Sequence, residues 1–234
     1  MPKYIYKPRP IVNLNLILLE AELETVSEFY DHTEFSFRKR VKTLEAQIQR
    51  EGKYHPKSYW TEDAGGGITR GEIVSDQKTN LESVANLTGY FCVIATYSIF
   101  ERFLYDLFGY IKRFKMLVPP KFEHNNWLDL KGYKRLLKAN GVDIITPPIK
   151  YNELIKLLNF RNAIAHYGGW VTPDNAQKLT GYGYKEGHQI TISKAYFRSS
   201  IALVRHTCQQ LAKQFAQQLA AHERKSARKR SAKT

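Results

Sequence analysis

Sulfur is scarce in this chain of 234 residues: there are two cysteines and two methionines. Cys92 and Cys208 are far apart, form no Cys-x-x-Cys pair and stand beside no histidine at ligand spacing. That excludes a disulfide scaffold and a zinc site of the usual spacing, and it fits a reducing, cytoplasmic compartment. No Gly-Lys-Ser/Thr follows the triple glycine Gly65-Gly66-Gly67, so that loop is not a Walker phosphate loop. The start, Met1-Pro2-Lys3-Tyr4, lacks the apolar run of a secretory signal. Acidic residues are few: 22 Asp and Glu face 36 Lys and Arg, a formal charge of +14. A field of that sign attracts polyanions such as nucleic acid or acidic lipid, although a basic protein with no such ligand would look the same.

Charge is also missing locally. No Asp, Glu, Lys or Arg occurs from Ser83 to Phe100, a run of about bilayer-spanning length. Asn86, Thr88, Gly89, Thr96 and Ser98 interrupt it and Glu101-Arg102 close it. A buried core helix accounts for this pattern better than a membrane span.

Helical periodicity dominates what is present. Leu16, Leu19, Leu23, Val26, Tyr30, Phe37, Val41, Leu44 and Ile48 predict a first long helix over 13–50. A Gly-rich loop is expected over 51–76, then a second long helix to about Met116, ended by Pro119-Pro120. Shorter helices are expected at 129–139, closed by Asn140-Gly141, and at 150–167, closed by Gly168-Gly169. The stretch 170–187 reads as loop, and Ile190 and Ile192 alternate as in a short strand or hairpin. Ser193 can cap a last helix over 194–222. The expected fold is all-α, an up-and-down bundle of about four to five helices with a small β element before the last. One domain is expected over 1–222, with 223–234 a basic, disordered tail able to add salt-sensitive phosphate affinity.

One fragment concentrates chemistry: Leu158-Asn159-Phe160-Arg161-Asn162-Ala163-Ile164-Ala165-His166-Tyr167-Gly168-Gly169. Arg161 offers a fixed fork of donors and a permanent charge, Asn162 a neutral donor and acceptor, and His166 a proton carrier. Asn162 and His166 share a helix face, while Arg161 lies about 140° around the axis from His166. Either the long Arg161 stem reaches around, or a second copy of the helix completes the cluster. The plain structural readings stay open: an arginine capping carbonyls or pairing with a carboxylate, and a histidine packed in the core.

The Arg161-Asn162-x-x-x-His166 pattern resembles the R-x4–6-H signature of the HEPN superfamily (higher eukaryote and prokaryote nucleotide-binding), in its bacterial nuclease branch. Ile164-Ala165-His166 with the glycines behind it, and Tyr97-Ser98-Ile99-Phe100-Glu101 on the second helix, add to the likeness, which covers roughly 79–219. The resemblance implies a metal-independent endoribonuclease, without cofactor, that dimerises with two motif helices facing a shared cleft. His166 would move the proton in attack by the RNA 2′-hydroxyl, Arg161 would stabilise the phosphorane charge, and Asn162 would orient the phosphate. A 2′,3′-cyclic phosphate would result. A toxin or phage-defence role, with an antitoxin or other regulator as partner, belongs to the same implication. The alternative is a non-catalytic RNA- or nucleotide-binding or protein-interaction module.

Supporting candidates follow from position. Tyr97, Glu101 and Tyr105 recur at i, i+4 spacing, and a carboxylate in so apolar a helix needs a partner, either Arg161 or a cation such as Arg102 or Arg113. Tyr167 can stack on a base or pack in the core. Lys112, Arg113 and Lys115 form either an RNA-facing strip or a solvated surface.

Overall fold

The computed structural model describes residues 9–54, 59–61, 64, 67–119, 122, 128–145, 147 and 149–231. The long helices come from the apolar spacing noted above. α1 (Arg9–Tyr54) and α2 (Arg70–Arg113) form an antiparallel hairpin. Its register is set by pairs along its length: Asn15 with Asp106, Arg102 with Glu22, Lys78 with Glu45 at 3.0 Å and Arg70 with Glu51 at 3.2 Å. α2 begins earlier than expected because Thr69 and Glu72 make a reciprocal cap, with the Thr69 N–H donating to Glu72 at 2.8 Å. The glycine-rich region is thus shorter than 51–76: residues 51–54 and 70–76 are helical, and the segment between lies partly outside the described residues. Gly71 is buried where the indole of Trp60 leaves no room for a Cβ.

α3 (Leu130–Ala139) is capped by Asp129, whose carboxylate accepts from the Gly132 N–H. α4 (Tyr151–Tyr167) carries the Arg-Asn-His fragment and runs antiparallel to α2. α6 (Lys194–Ser231) returns alongside both hairpin helices, tied to α1 by Arg198–Asp31 and Arg205–Glu20. The result is an up-and-down helical bundle around one core, with Leu23, Phe100, Leu107, Leu157, Phe197, Val204 and Phe215 at its centre. α2 is long and apolar enough to cross a bilayer by length and composition. Here one side of it, from Tyr90 through Val93, Tyr97, Phe100 and Leu104 to Ile111, is core. Cys92 and Cys208 are free and buried, and burial pushes the Cys92 thiol up to about 11.

Three further expectations need correction. The stretch 170–187 is not all loop. Pro173–Leu179 forms a short helix α5, followed by a 3₁₀ turn at Thr180–Tyr182. Pro173 opens α5 at its first position, and Asn175 accepts from the Thr172 N–H at 2.9 Å. Among the described residues there is no strand before α6. The alternation at Ile190 and Ile192 marks an extended segment draped on the core, with one isolated antiparallel bridge between Trp170 and Gln189. α6 does not stop at His222. It continues to Ser231, since the Lys/Arg/Ala composition read as a disordered tail is also favourable in a helix.

α2 ends in a Schellman turn. The Met116 N–H donates to Ile111 O at 3.0 Å and the Lys115 N–H to Lys112 O at 3.1 Å, with Lys115 left-handed at φ 52°. Glycine normally fills that position, and a side chain there is strained. Lys115→Gly should therefore raise stability by about 1 kcal/mol in a denaturant melt; a lower midpoint would contradict this reading of the turn.

Candidate functional site

The motif helix is fixed at both of its faces. Inward, Phe160 packs edge-on against Tyr182 and Tyr184 and tilted against Tyr196, while Leu154, Leu157, Ala163 and Ile164 are buried. At its end, Gly168 (φ 60°) and Gly169 (φ 84°) turn the chain away after His166. Gly169 donates to Ala163 O at 3.1 Å, and Ile190 donates back to Gly169 O at 2.8 Å. A Cβ on Gly169 would collide with Tyr90 Oη, which itself donates to Ile190 O. Gly169→Ala should cost about 2–4 kcal/mol, because it adds a clash to a forbidden backbone angle. A melt indistinguishable from wild type would show that this corner yields freely.

Arg161 points toward α2. Its Nη1 donates to Asn162 Oδ1 at 3.0 Å, and its Nη2 lies 3.8 Å from Glu101 Oε2. The two side chains of the ion pair are 27% and 22% exposed, a half-buried contact at the outer limit of ion pairing. Burial raises the Glu101 carboxyl above its ordinary value, and the charge of Arg161 works against that rise. A guanidinium has five N–H donors. Only the Asn162 bond engages one here among the described residues, and Nε is buried without a partner. Arg161 is therefore positioned but not saturated.

Of the two partners weighed for Glu101, Arg161 is the one the fold supplies; Arg102 turns to Glu22 on α1. Tyr97 lies beneath the pair, 1% exposed and edge-on to Phe100, so it supports Glu101 from the core. Burial first, then the Glu101 charge, keeps its phenol protonated well above the ordinary range. Tyr105, expected on the same face, fans outward and is exposed.

His166 is exposed at the end of α4, with Tyr167 edge-on at 6.5 Å between ring centres. Asn162 is half-buried between Arg161 and the outward face. Within one subunit the fold brings together Arg161, Asn162, Glu101 and Tyr97, while His166, on the face of Asn162, lies about 140° around the helix from Arg161. Lys112, Arg113 and Lys115 are not part of this cluster. They begin eleven residues beyond Glu101, about 17 Å along α2. Lys112 lies over the Phe108 ring at 4.3 Å, and Lys115 terminates the helix. Among the described residues no group of three or more His, Cys, Asp or Glu side chains could hold a metal ion.

Two clefts lie among the described residues away from this cluster. One of 520 Å³ lies between the start of α4 and α6, lined by Lys150, Glu153, Tyr196 and His206 among others. Another of 400 Å³ lies between α1 and α2 near Ile192. Neither is lined by Arg161, Asn162 or His166. Comparison with protein-family models, with curated proteins and with solved structures finds no match to this chain.

Proposed function

We propose that the protein is an endoribonuclease of HEPN type that works as a homodimer, cleaving RNA by attack of its own 2′-hydroxyl on the adjacent phosphate. The supporting observation is the held but unsaturated guanidinium of Arg161 on the same helix as an exposed imidazole. Arg161, steadied by Glu101 and Asn162, offers donors to the phosphate as its negative charge grows. His166 takes the proton from the 2′-hydroxyl or gives one to the leaving 5′-oxygen. The products are a 2′,3′-cyclic phosphate and a 5′-hydroxyl, and DNA resists because it lacks the nucleophile. No step of this reaction requires a metal ion.

A second subunit answers the divergence of Arg161 and His166. The surface beside them supports this pairing. Val84, Leu87 and Phe91 on the outward face of α2 are 43%, 51% and 70% exposed, inside the uncharged run from Ser83 to Phe100. On α4, Ala165 and His166 are exposed and Asn159 and Asn162 half-buried, again without an acid, lysine or arginine among them. A solvated helix face in so highly charged a chain would be polar. Two copies that each carry +14 meet with least repulsion through such a patch.

The inward turn of Arg161 favours a second reading, a non-catalytic module in which the Arg161–Glu101 pair is structural. Incubation with RNA in EDTA, beside Arg161→Ala and His166→Ala, decides between them. Wild-type cleavage lost in both variants supports the nuclease; RNA binding without cleavage by any of the three supports the module. A cytosolic toxin or phage-defence effector, restrained by a regulator, is the setting in which such an activity fits.

A further inference from the structure

α3 is short, and its charges are of one sign. From Leu130 to Asn140 it has four cations and no acid. Lys131, Lys134, Arg135 and Lys138 fall within an arc of about 100° around the helix. Leu130, Tyr133, Leu136 and Leu137 occupy the opposite side and are buried. Lys131, Arg135 and Lys138 are exposed, and no ion pair is made by any of the four among the described residues.

Several cations of the long helices are paired with acids. Lys78 pairs with Glu45, Arg102 with Glu22, Arg198 with Asp31 and Arg205 with Glu20. Like charges at i, i+3 and i+4 spacing repel, so folding alone would favour acids among them. A uniform cationic face held at that cost suits an external polyanion.

The ends of α3 place this face. At its start, the charge of Asp129 reaches Tyr97 and that of Glu101 reaches Tyr133, and Lys134 sits 4.7 Å from the ring centre of Tyr151, the first residue of the motif helix. At its far end, the Asn140 side chain accepts from Leu117 N at 3.0 Å and donates to Leu117 O at 2.8 Å. That joins α3 to the chain just past Lys112, Arg113 and Lys115. α3 therefore runs between the neighbourhood of Glu101 and the basic end of α2, with its cations on the solvent side.

We propose that the solvent face of α3, through Lys131, Lys134, Arg135 and Lys138, binds the phosphate backbone of RNA and leads it toward Arg161. The delivery to Arg161 rests on the ribonuclease reading; the binding surface does not. Binding of this kind is blind to base sequence and steeply salt-dependent.

The test is fluorescence anisotropy with a labelled single-stranded RNA, and with DNA of the same sequence, across a salt series. Wild type is compared with Lys131→Ala/Arg135→Ala/Lys138→Ala and with Arg161→Ala/His166→Ala. The α3 variant should bind both polymers about ten- to a hundred-fold more weakly at low salt. Its slope of log affinity against log salt should be shallower by about 2, at roughly 0.7 for each phosphate that a single strand no longer has neutralised. The Arg161/His166 variant should lose cleavage and give up no more than about 0.7 of the slope, the one phosphate that Arg161 neutralises. Thermal melting checks the fold, and the corresponding glutamine variant serves if the alanine variant melts early.

Unchanged affinity and slope in the folded α3 variant would overturn the proposal. So would binding to anionic phospholipid vesicles in place of RNA. Wild type that binds with the expected slope and never cleaves leaves the α3 surface standing and removes the nuclease reading. Cleavage and binding both unaffected by the α3 variant do the reverse.

Discussion

His166→Ala should lower the rate of RNA cleavage by about 10²–10⁴-fold while leaving the melting temperature where it is. The first figure is the usual contribution of a positioned general acid or base. The second follows from exposure: the imidazole ends α4 in solvent and has no buried packing for the alanine to remove. The combination is diagnostic. A packed core histidine would show a destabilised protein with activity falling in proportion to unfolding. Arg161→Ala should behave differently, since removing the guanidinium also leaves Glu101 half-buried without its cation. Cleavage that survives in His166→Ala would remove the imidazole from the chemistry.

Replacing Leu87 and Phe91 together by glutamate should produce a monomer and silence cleavage with it. The two side chains are half to two-thirds exposed in a single subunit, so the fold has little to lose, under about 1 kcal/mol. At an interface the same positions would be desolvated, and truncation or charge at such anchors commonly costs about 2–4 kcal/mol of association, about 30- to 1,000-fold in the dissociation constant. Sedimentation velocity on the pair of proteins reads the assembly, and a cleavage assay over a concentration series reads its consequence. If wild type cleaves as a monomer, or the double variant sediments as wild type does, the shared site is wrong.

The helices were legible in the sequence wherever an apolar stripe ran for several turns. α1, α2, α4 and most of α6 follow that rule, because burial along one side imposes the 3.6-residue period. Their boundaries were less legible. The Thr69-x-x-Glu72 cap was masked by surrounding glycines, and the Pro173 start of α5 by a stretch rich in turn residues. Composition misled at the other end: arginine, lysine and alanine between Arg224 and Ser231 permit a helix as readily as they permit disorder. In the site, the need of Glu101 for a cation was readable from its apolar setting, and the angular offset of Arg161 from His166 from helix geometry alone. What could not be read was depth. Tyr97, Glu101 and Tyr105 share a spacing but pass from core to solvent, because neighbouring helices cover only one edge of that stripe. The cations of α3 escaped notice for a similar reason. Four basic residues in ten look like ordinary surface until every apolar partner is seen on the far side.

The outer part of the α1–α2 hairpin reaches beyond the rest of the bundle. Its buried side chains, Leu44, Tyr59 and Val74, lie apart from the main core, which on α1 extends as far as Tyr30, stacked on Phe197 at 4.3 Å. Two mechanical compartments therefore share one pair of helices. Local opening of the Leu44–Val74 cluster need not disturb the stacked pair of Tyr30 and Phe197, because the two clusters are separate. A protein grasping the projecting end would hold the molecule by a handle that transmits little strain to Arg161.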